Sequence, residues 1–198
     1  MIKKRAIIPG IAIITIVVLV LMLTRKHRHE RGNSRSEWSP DKEMIREAEQ
    51  LVKVKVTPPF NYSFGRMKPG VLQHIDRRYT YDTVPPELLN GFLFQGIHRP
   101  SKGTVVEFEL SAPAKIYWFF HKGGDGGYGR IFEQLDGWER CEAFPQYDIH
   151  KGDHGLRMVM YRLNADPGTY RIPATTVDRA CFNIVFQPDP VLSTKSIR

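Results

Sequence analysis

The sequence predicts an all-β body, an antiparallel β-sandwich of jelly-roll-like type, preceded by an N-terminal transmembrane helix and a short stalk helix. Two observations predict the body. Between Val71 and Gln187 the chain consists of short apolar or alternating runs broken by Gly, Pro and Asp, the pattern of many short strands joined by turns. No long helical repeat follows residue 52, so the strands must cover one another. A third observation places the anchor in front of the body: Ala6–Thr24 carries no charge and is closed by basic residues at both ends. The expected organisation is an anchor with its basic flank over residues 1–24, then a basic linker, short helix and leading strand over 25–56. The sandwich follows over 57–187 and a tail over 188–198.

A helix over Ala6–Thr24 would be about 28 Å long, close to the roughly 30 Å hydrocarbon core of a bilayer. The apolar run ends Leu21-Met22-Leu23-Thr24-Arg25-Lys26 without an Ala-x-Ala site, which favours an uncleaved anchor over a cleaved secretory signal. Basic residues stand on both sides, so the positive-inside rule does not orient the span. The expectation is a single-pass membrane protein with its soluble domain on the extracellular or lumenal side.

The formal charge of +8 would suit a nucleic-acid binder if it were spread over the body. It is not. Residues 1–36 hold eight Lys and Arg and one acidic residue, so the rest of the chain is left with a net charge near +1. Basic clusters beside a span are explained by anionic lipid headgroups, at about 1 kcal/mol per basic residue. No nucleic-acid partner is expected; the membrane is the first partner, through residues 6–24.

After a polar linker over His27–Glu37, Ser39-Pro40-Asp41-Lys42-Glu43 is a helix start, with Ser39 able to cap and Pro40 suited to the first helical position. Met44, Ala48 and Leu51 recur at helical spacing, which predicts a helix over 40–52. Val52–Val56 alternates with Lys53 and Lys55 and reads as a strand, ended by Thr57-Pro58-Pro59. Further strands are expected at Val71–Ile75, Tyr79–Thr83, Phe92–His98, Thr104–Leu110, Lys115–His121, Tyr147–His150, Leu156–Leu163, Thr169–Ile172 and Arg179–Phe186. In Thr104–Leu110 the residues Val106, Phe108 and Leu110 share one face, opposite Glu107 and Glu109. In Arg179–Phe186 the residues Ala180, Phe182, Ile184 and Phe186 oppose Cys181, Asn183 and Val185. Lys115–His121 is apolar on both faces, as a central strand covered on both sides must be.

Three pieces carry a resemblance: Asp76–Gly91 (DRRYTYDTVPPELLNG), the apolar strand after Ala112-Pro113-Ala114, and Pro167–Pro173 (PGTYRIP). In this order they resemble small β-sandwich modules appended to secreted carbohydrate-active and surface proteins. The resemblance covers most of residues 71–187. It implies a non-catalytic accessory domain with glycans as its candidate ligand.

The richest loop is His121–Arg130 (HKGGDGGYGR). Its glycines let the chain turn sharply at the end of the most apolar strand and bring His121, Asp125 and Tyr128 together, with Trp138 and Arg140 soon after. An aromatic plane with directional polar neighbours suits a sugar. The competing reading is a hairpin whose Trp138 plugs the end of the core. His98, His121, His150 and His154 raise the question of a cupin-like metal site, but the required His-x-His with a following Glu is missing, and no metal ligand or cofactor is assigned. No catalytic residue is assigned either. There is no Gly-x-Ser-x-Gly, and neither cysteine sits in a reactive-thiol motif, although paired carboxylates stay open because strand proximity is not visible in sequence.

Asn61-Tyr62-Ser63 fits the N-glycosylation pattern. Cys141 and Cys181 are the candidate disulfide of a lumenal domain, a closure that would stabilise by about 4 kcal/mol. The function expected is a membrane-tethered, non-enzymatic binding or interaction module with a glycan or protein ligand. The alternatives are a tethered cupin-like metal-dependent enzyme and a structural subunit that packs on a partner chain.

Overall fold

The computed structural model describes residues 41–121, 128–143, 145–148, 156–174 and 181–189, all within one compact unit spanning residues 40–198. Among these no helix is long and apolar enough to cross a membrane. The expected span Ala6–Thr24 and the tail beyond residue 189 lie outside the described residues.

Helix α1 (Lys42–Leu51) turns Met44, Ala48 and Leu51 into the core, as their spacing predicts. Its cap is Asp41 rather than Ser39: the Asp41 carboxylate accepts from the N–H groups of Glu43 and Met44, both at 3.1 Å, and so satisfies two donors that a helix start leaves unpaired. The chain passes straight into β1 (Val52–Thr57). Strands β2 (Ser63–Arg66), β3 (Thr80–Thr83), β4 (Phe92–Gln95), β5 (Val105–Leu110) and β6 (Ala114–His121) follow. A short helix α2 (Tyr128–Phe132) precedes β7 (Glu139–Arg140), β8 (Gln146–Asp148), β9 (Leu156–Ala165), β10 (Gly168–Ile172) and β11 (Phe182–Pro188).

All pairings are antiparallel and form two sheets, as expected of a sandwich. The small sheet runs β1-β5-β10. The large one runs β2-β4-β11-β6-β9-β8-β3, with β7 also paired to β9. On the solvent side of the small sheet the alternation places a charged ladder: Lys53 faces Glu109 at 3.9 Å, and Glu107 lies between Lys55 (3.8 Å) and Arg171 (3.7 Å). Exposed pairs of this kind add at most about 1 kcal/mol each, so the ladder sets register more than stability. Inward, Val106, Phe108 and Leu110 meet the large sheet, with Phe108 edge-on to Phe186 at 5.3 Å.

The large sheet is apolar on both faces. Ile116, Trp118 and Phe120 of β6 join Phe182, Ile184 and Phe186 of β11 in the core between the sheets, while Tyr117, Phe119 and Val185 point the other way into a second cluster. That outer face is covered by the 67–93 segment, through Met67, Tyr81 and Leu88. The segment follows an irregular path where a strand was expected at Val71–Ile75. Only Leu72 bridges Thr80, and Gly70 takes φ +80° to start the crossing. At its end Gly91 passes so close to β11 that an added Cβ would collide with Gln187 and Val185. The strand expected to begin at Arg179 starts at Phe182, with Cys181 just before it; Arg179 and Ala180 lie outside the described residues. Strands β2 and β7 and helix α2 were not anticipated.

The expected disulfide is a correction: Cys141 and Cys181 are both free thiols. The Cys141 N–H donates to the Met160 carbonyl, Met160 pairs with Phe119, and Phe119 with Asn183, close after Cys181. The cysteines are therefore separated by three strand spacings, about 14 Å. A bridge needs α-carbons within about 7 Å.

Candidate functional site

Two groups of polar and aromatic residues stand out, one anticipated from the sequence and one not. The anticipated group surrounds the Gly-rich loop. His121 closes β6 opposite Met158. Asp125 lies outside the described residues, as do His150 and His154. Tyr128 does not face outward as a loop contact. It is 1% exposed, packed between Trp118 (5.3 Å), Phe182 (5.7 Å) and Phe120 (5.8 Å), and burial holds its phenol well above the usual range. The local cause is helix α2: Tyr128 and Phe132, one helical turn apart, are both buried, so the turn lays both rings on the core.

Trp138 sits edge-on against Phe132, with ring centroids 4.7 Å apart, and is half-buried. Gly137, at φ +79°, makes the turn that delivers it. Arg140 is exposed on β7 and pairs with Tyr161, so it rises from the same sheet face as the Phe132–Tyr161 stack. Next to it Glu139 and Arg162 form an ion pair at 2.6 Å. The structure thus joins Trp138 and Arg140 along one edge of the large sheet and removes Tyr128 from any surface. Trp138 is both a lid on the core and a partly accessible aromatic face.

The second group is His74, His98 and Cys181. Cys181 leads into β11, His98 lies just past β4, which is the neighbour of β11, and His74 comes from the crossing segment. The Cys181 sulfur is 3.4 Å from Nε2 of His74, and the two imidazole rings are 5.2 Å apart. One ligand atom from each residue falls within 4.8 Å of the other two. His74 is fully buried, Cys181 is 9% exposed and His98 is half-buried, so the group opens toward solvent at His98.

The scaffold around this trio is well held. The Asp76 carboxylate accepts from the His98 N–H at 2.9 Å and pairs with Arg77 at 3.3 Å. The Ile75 N–H donates to the Gly96 carbonyl, Asn183 Nδ2 to the Gln73 carbonyl at 2.8 Å, and Gln95 Nε2 to the Leu72 carbonyl at 2.6 Å. The edge of the Tyr79 ring meets His98 at 5.0 Å. Burial, helped by His98, lowers the His74 imidazole to about 3; Asp76 and the Gly96 backbone pull weakly the other way. Burial likewise pushes the Cys181 thiol up to about 12, against the attraction of Arg99. His74 therefore offers a neutral ring nitrogen and Cys181 a thiol to whatever enters.

No protein-family model matches the sequence, and no curated protein does. A solved structure does: a β-glucuronidase from glycoside hydrolase family 2, with a TM-score of 0.54 and 14% identity over 70% of this chain. The match spans 15% of that chain, so this protein corresponds in fold to a small part of a far longer one. At that identity the likeness speaks for the sandwich and not for any site residue. Asn61, the glycosylation candidate, is exposed just before β2.

Proposed function

We propose that this protein is a membrane-tethered, non-enzymatic β-sandwich module that binds carbohydrate outside the cytoplasm. The observation that carries the reading is the fold likeness: a sandwich of this kind makes up a small part of a β-glucuronidase, which supports an accessory role for it here. The sequence resemblance to accessory sandwich modules points the same way. The tether is Ala6–Thr24, which should hold the full chain in the membrane fraction through alkaline carbonate washing. The ligand face is the edge carrying Trp138 and Arg140, where an apolar plane for a sugar ring lies beside a charged donor for its hydroxyl or carboxylate groups.

The test uses the detergent-solubilised full chain on an array of neutral and uronic-acid oligosaccharides, alongside Trp138→Ala. Stacking on one aromatic face contributes on the order of 1 kcal/mol, so the variant should bind about fivefold more weakly. Its thermal stability should fall only modestly, by roughly 1–2 kcal/mol, because Trp138 is half-buried. An array on which the parent chain binds nothing, or unchanged binding by the variant, would remove this edge from the proposal.

A further inference from the structure

We propose that His74, His98 and Cys181 form a three-ligand site for a transition-metal ion, and that Zn²⁺ is the ion the donors suit. Two imidazole nitrogens and one thiol sulfur are the donors that borderline and soft metals choose, and that Ca²⁺ and Mg²⁺ avoid. The spacing agrees with this chemistry. With Zn–N bonds near 2.0–2.1 Å and a Zn–S bond near 2.3 Å, a tetrahedral ion separates its nitrogen and sulfur ligands by about 3.6 Å. His74 Nε2 and Cys181 Sγ already stand 3.4 Å apart. The third donor, from His98, lies within 4.8 Å of both, so a rotation of one half-buried side chain completes the triad.

The surroundings fit a metal centre as well as the ligands do. The segment that carries His74 is pinned to β11 and β4 through Asn183, Gln95 and the Gly96 carbonyl, so two ligands are held before any ion arrives. The Asp76 carboxylate, hydrogen-bonded to the His98 backbone and paired with Arg77, lies beside the site without being one of the three ligands. Metal ligation would exchange the Cys181 proton for the ion: the S–H bond breaks, the S–metal bond forms, and the proton passes to solvent. With three protein ligands, a fourth would be a water reaching the ion from the side of the half-buried His98. The site is built from the outer face of the large sheet and is independent of the carbohydrate reading. The competing account is a thiol–imidazole hydrogen bond between Cys181 and His74, with His98 as packing against Tyr79.

The experiment uses the full chain in detergent, without a histidine tag, stripped by a chelator and titrated with Co²⁺ as a spectroscopic stand-in for Zn²⁺. The expected result is one ion per chain and a near-ultraviolet thiolate-to-Co²⁺ charge-transfer band that Zn²⁺ abolishes. Cys181→Ser should lose the band, and His98→Gln, at a half-buried position, should weaken Zn²⁺ binding at least about tenfold. A parent chain that binds no Co²⁺, or binds it without a thiolate band, overturns the site whether or not the variants fold. So does Zn²⁺ affinity unchanged in a folded His98→Gln.

Discussion

Replacing Trp118 by Ala should lower the stability of the sandwich by about 3–5 kcal/mol in a urea titration, the cost of deleting a large buried ring whose surroundings relax only in part. Trp118 lies in the middle of β6, paired with Ile184 on one side and Tyr161 on the other, and is fully buried. Its indole stacks on Phe182 at 4.6 Å and touches Tyr128 and Phe132 of α2 at 5.3 and 5.6 Å. No neighbour can fill the space, because β4, β11, β6 and β9 are locked in register. Domains of this kind hold only about 5–15 kcal/mol in total, so the variant should lose a large share of its stability. Trp118→Phe should behave differently. Nε1 of Trp118 is buried and has no hydrogen-bond partner among the described residues, so phenylalanine gives up volume but removes an unsatisfied donor. Its cost should stay below about 1.5 kcal/mol. A Trp118→Ala loss under that same limit would mean that the core between the sheets is looser than its ring contacts imply.

Acid should destabilise the metal-free protein through His74, by up to about 5 kcal/mol between pH 6.5 and pH 3. The folded imidazole is lowered to about 3 by burial and by His98, with Arg77 adding to the effect and Asp76 and the Gly96 backbone opposing it. In the unfolded chain the same group titrates near 6.5. Through that window the unfolded state holds a proton that the native state refuses, so stability rises with pH and has its full value above 6.5. As pH falls toward 3 the proton draws the equilibrium toward the unfolded chain. Carboxylates also titrate on this path, so the measurement is a difference: unfolding free energies of the parent and His74→Gln at several pH values. The parent's stability relative to the variant should be highest above pH 6.5 and fall steadily, by up to about 5 kcal/mol, as pH drops to 3. Parallel curves would show that His74 keeps its charge-bearing form in the fold.

Of the residues gathered around the Gly-rich loop, Trp138 and Arg140 stay accessible and Tyr128 is buried, for one reason. Trp138 and Arg140 are delivered by a local turn and a two-residue strand, and they end where their place in the chain suggests. Tyr128 was assigned to the loop because glycines surround it. Yet Tyr128 and Phe132 share the i, i+4 spacing of a helix face, and that spacing was the sign of a buried turn. The same limit applies to the metal ligands. Cys181 was correctly placed on one face with Asn183 and Val185, but nothing in the text joins it to a histidine 107 residues away.

The sequence by itself determined what depends on period and local chemistry. The helix face of Met44, Ala48 and Leu51, the two-faced β6, the charged outer ladder of β5 and the neutrality of the body were all readable, because strand and helix periods and charge are properties of adjacent residues. Only the tertiary structure decided which strands are neighbours, and proximity follows from that choice. Strand order set Cys141 and Cys181 three strand spacings apart and left both thiols free. The same order, with the crossing segment laid over the outer face, brought His74 and His98 to Cys181. Side chains far apart in the chain meet through the register of antiparallel ladders, and a register is chosen by the packing of whole faces rather than by any short stretch.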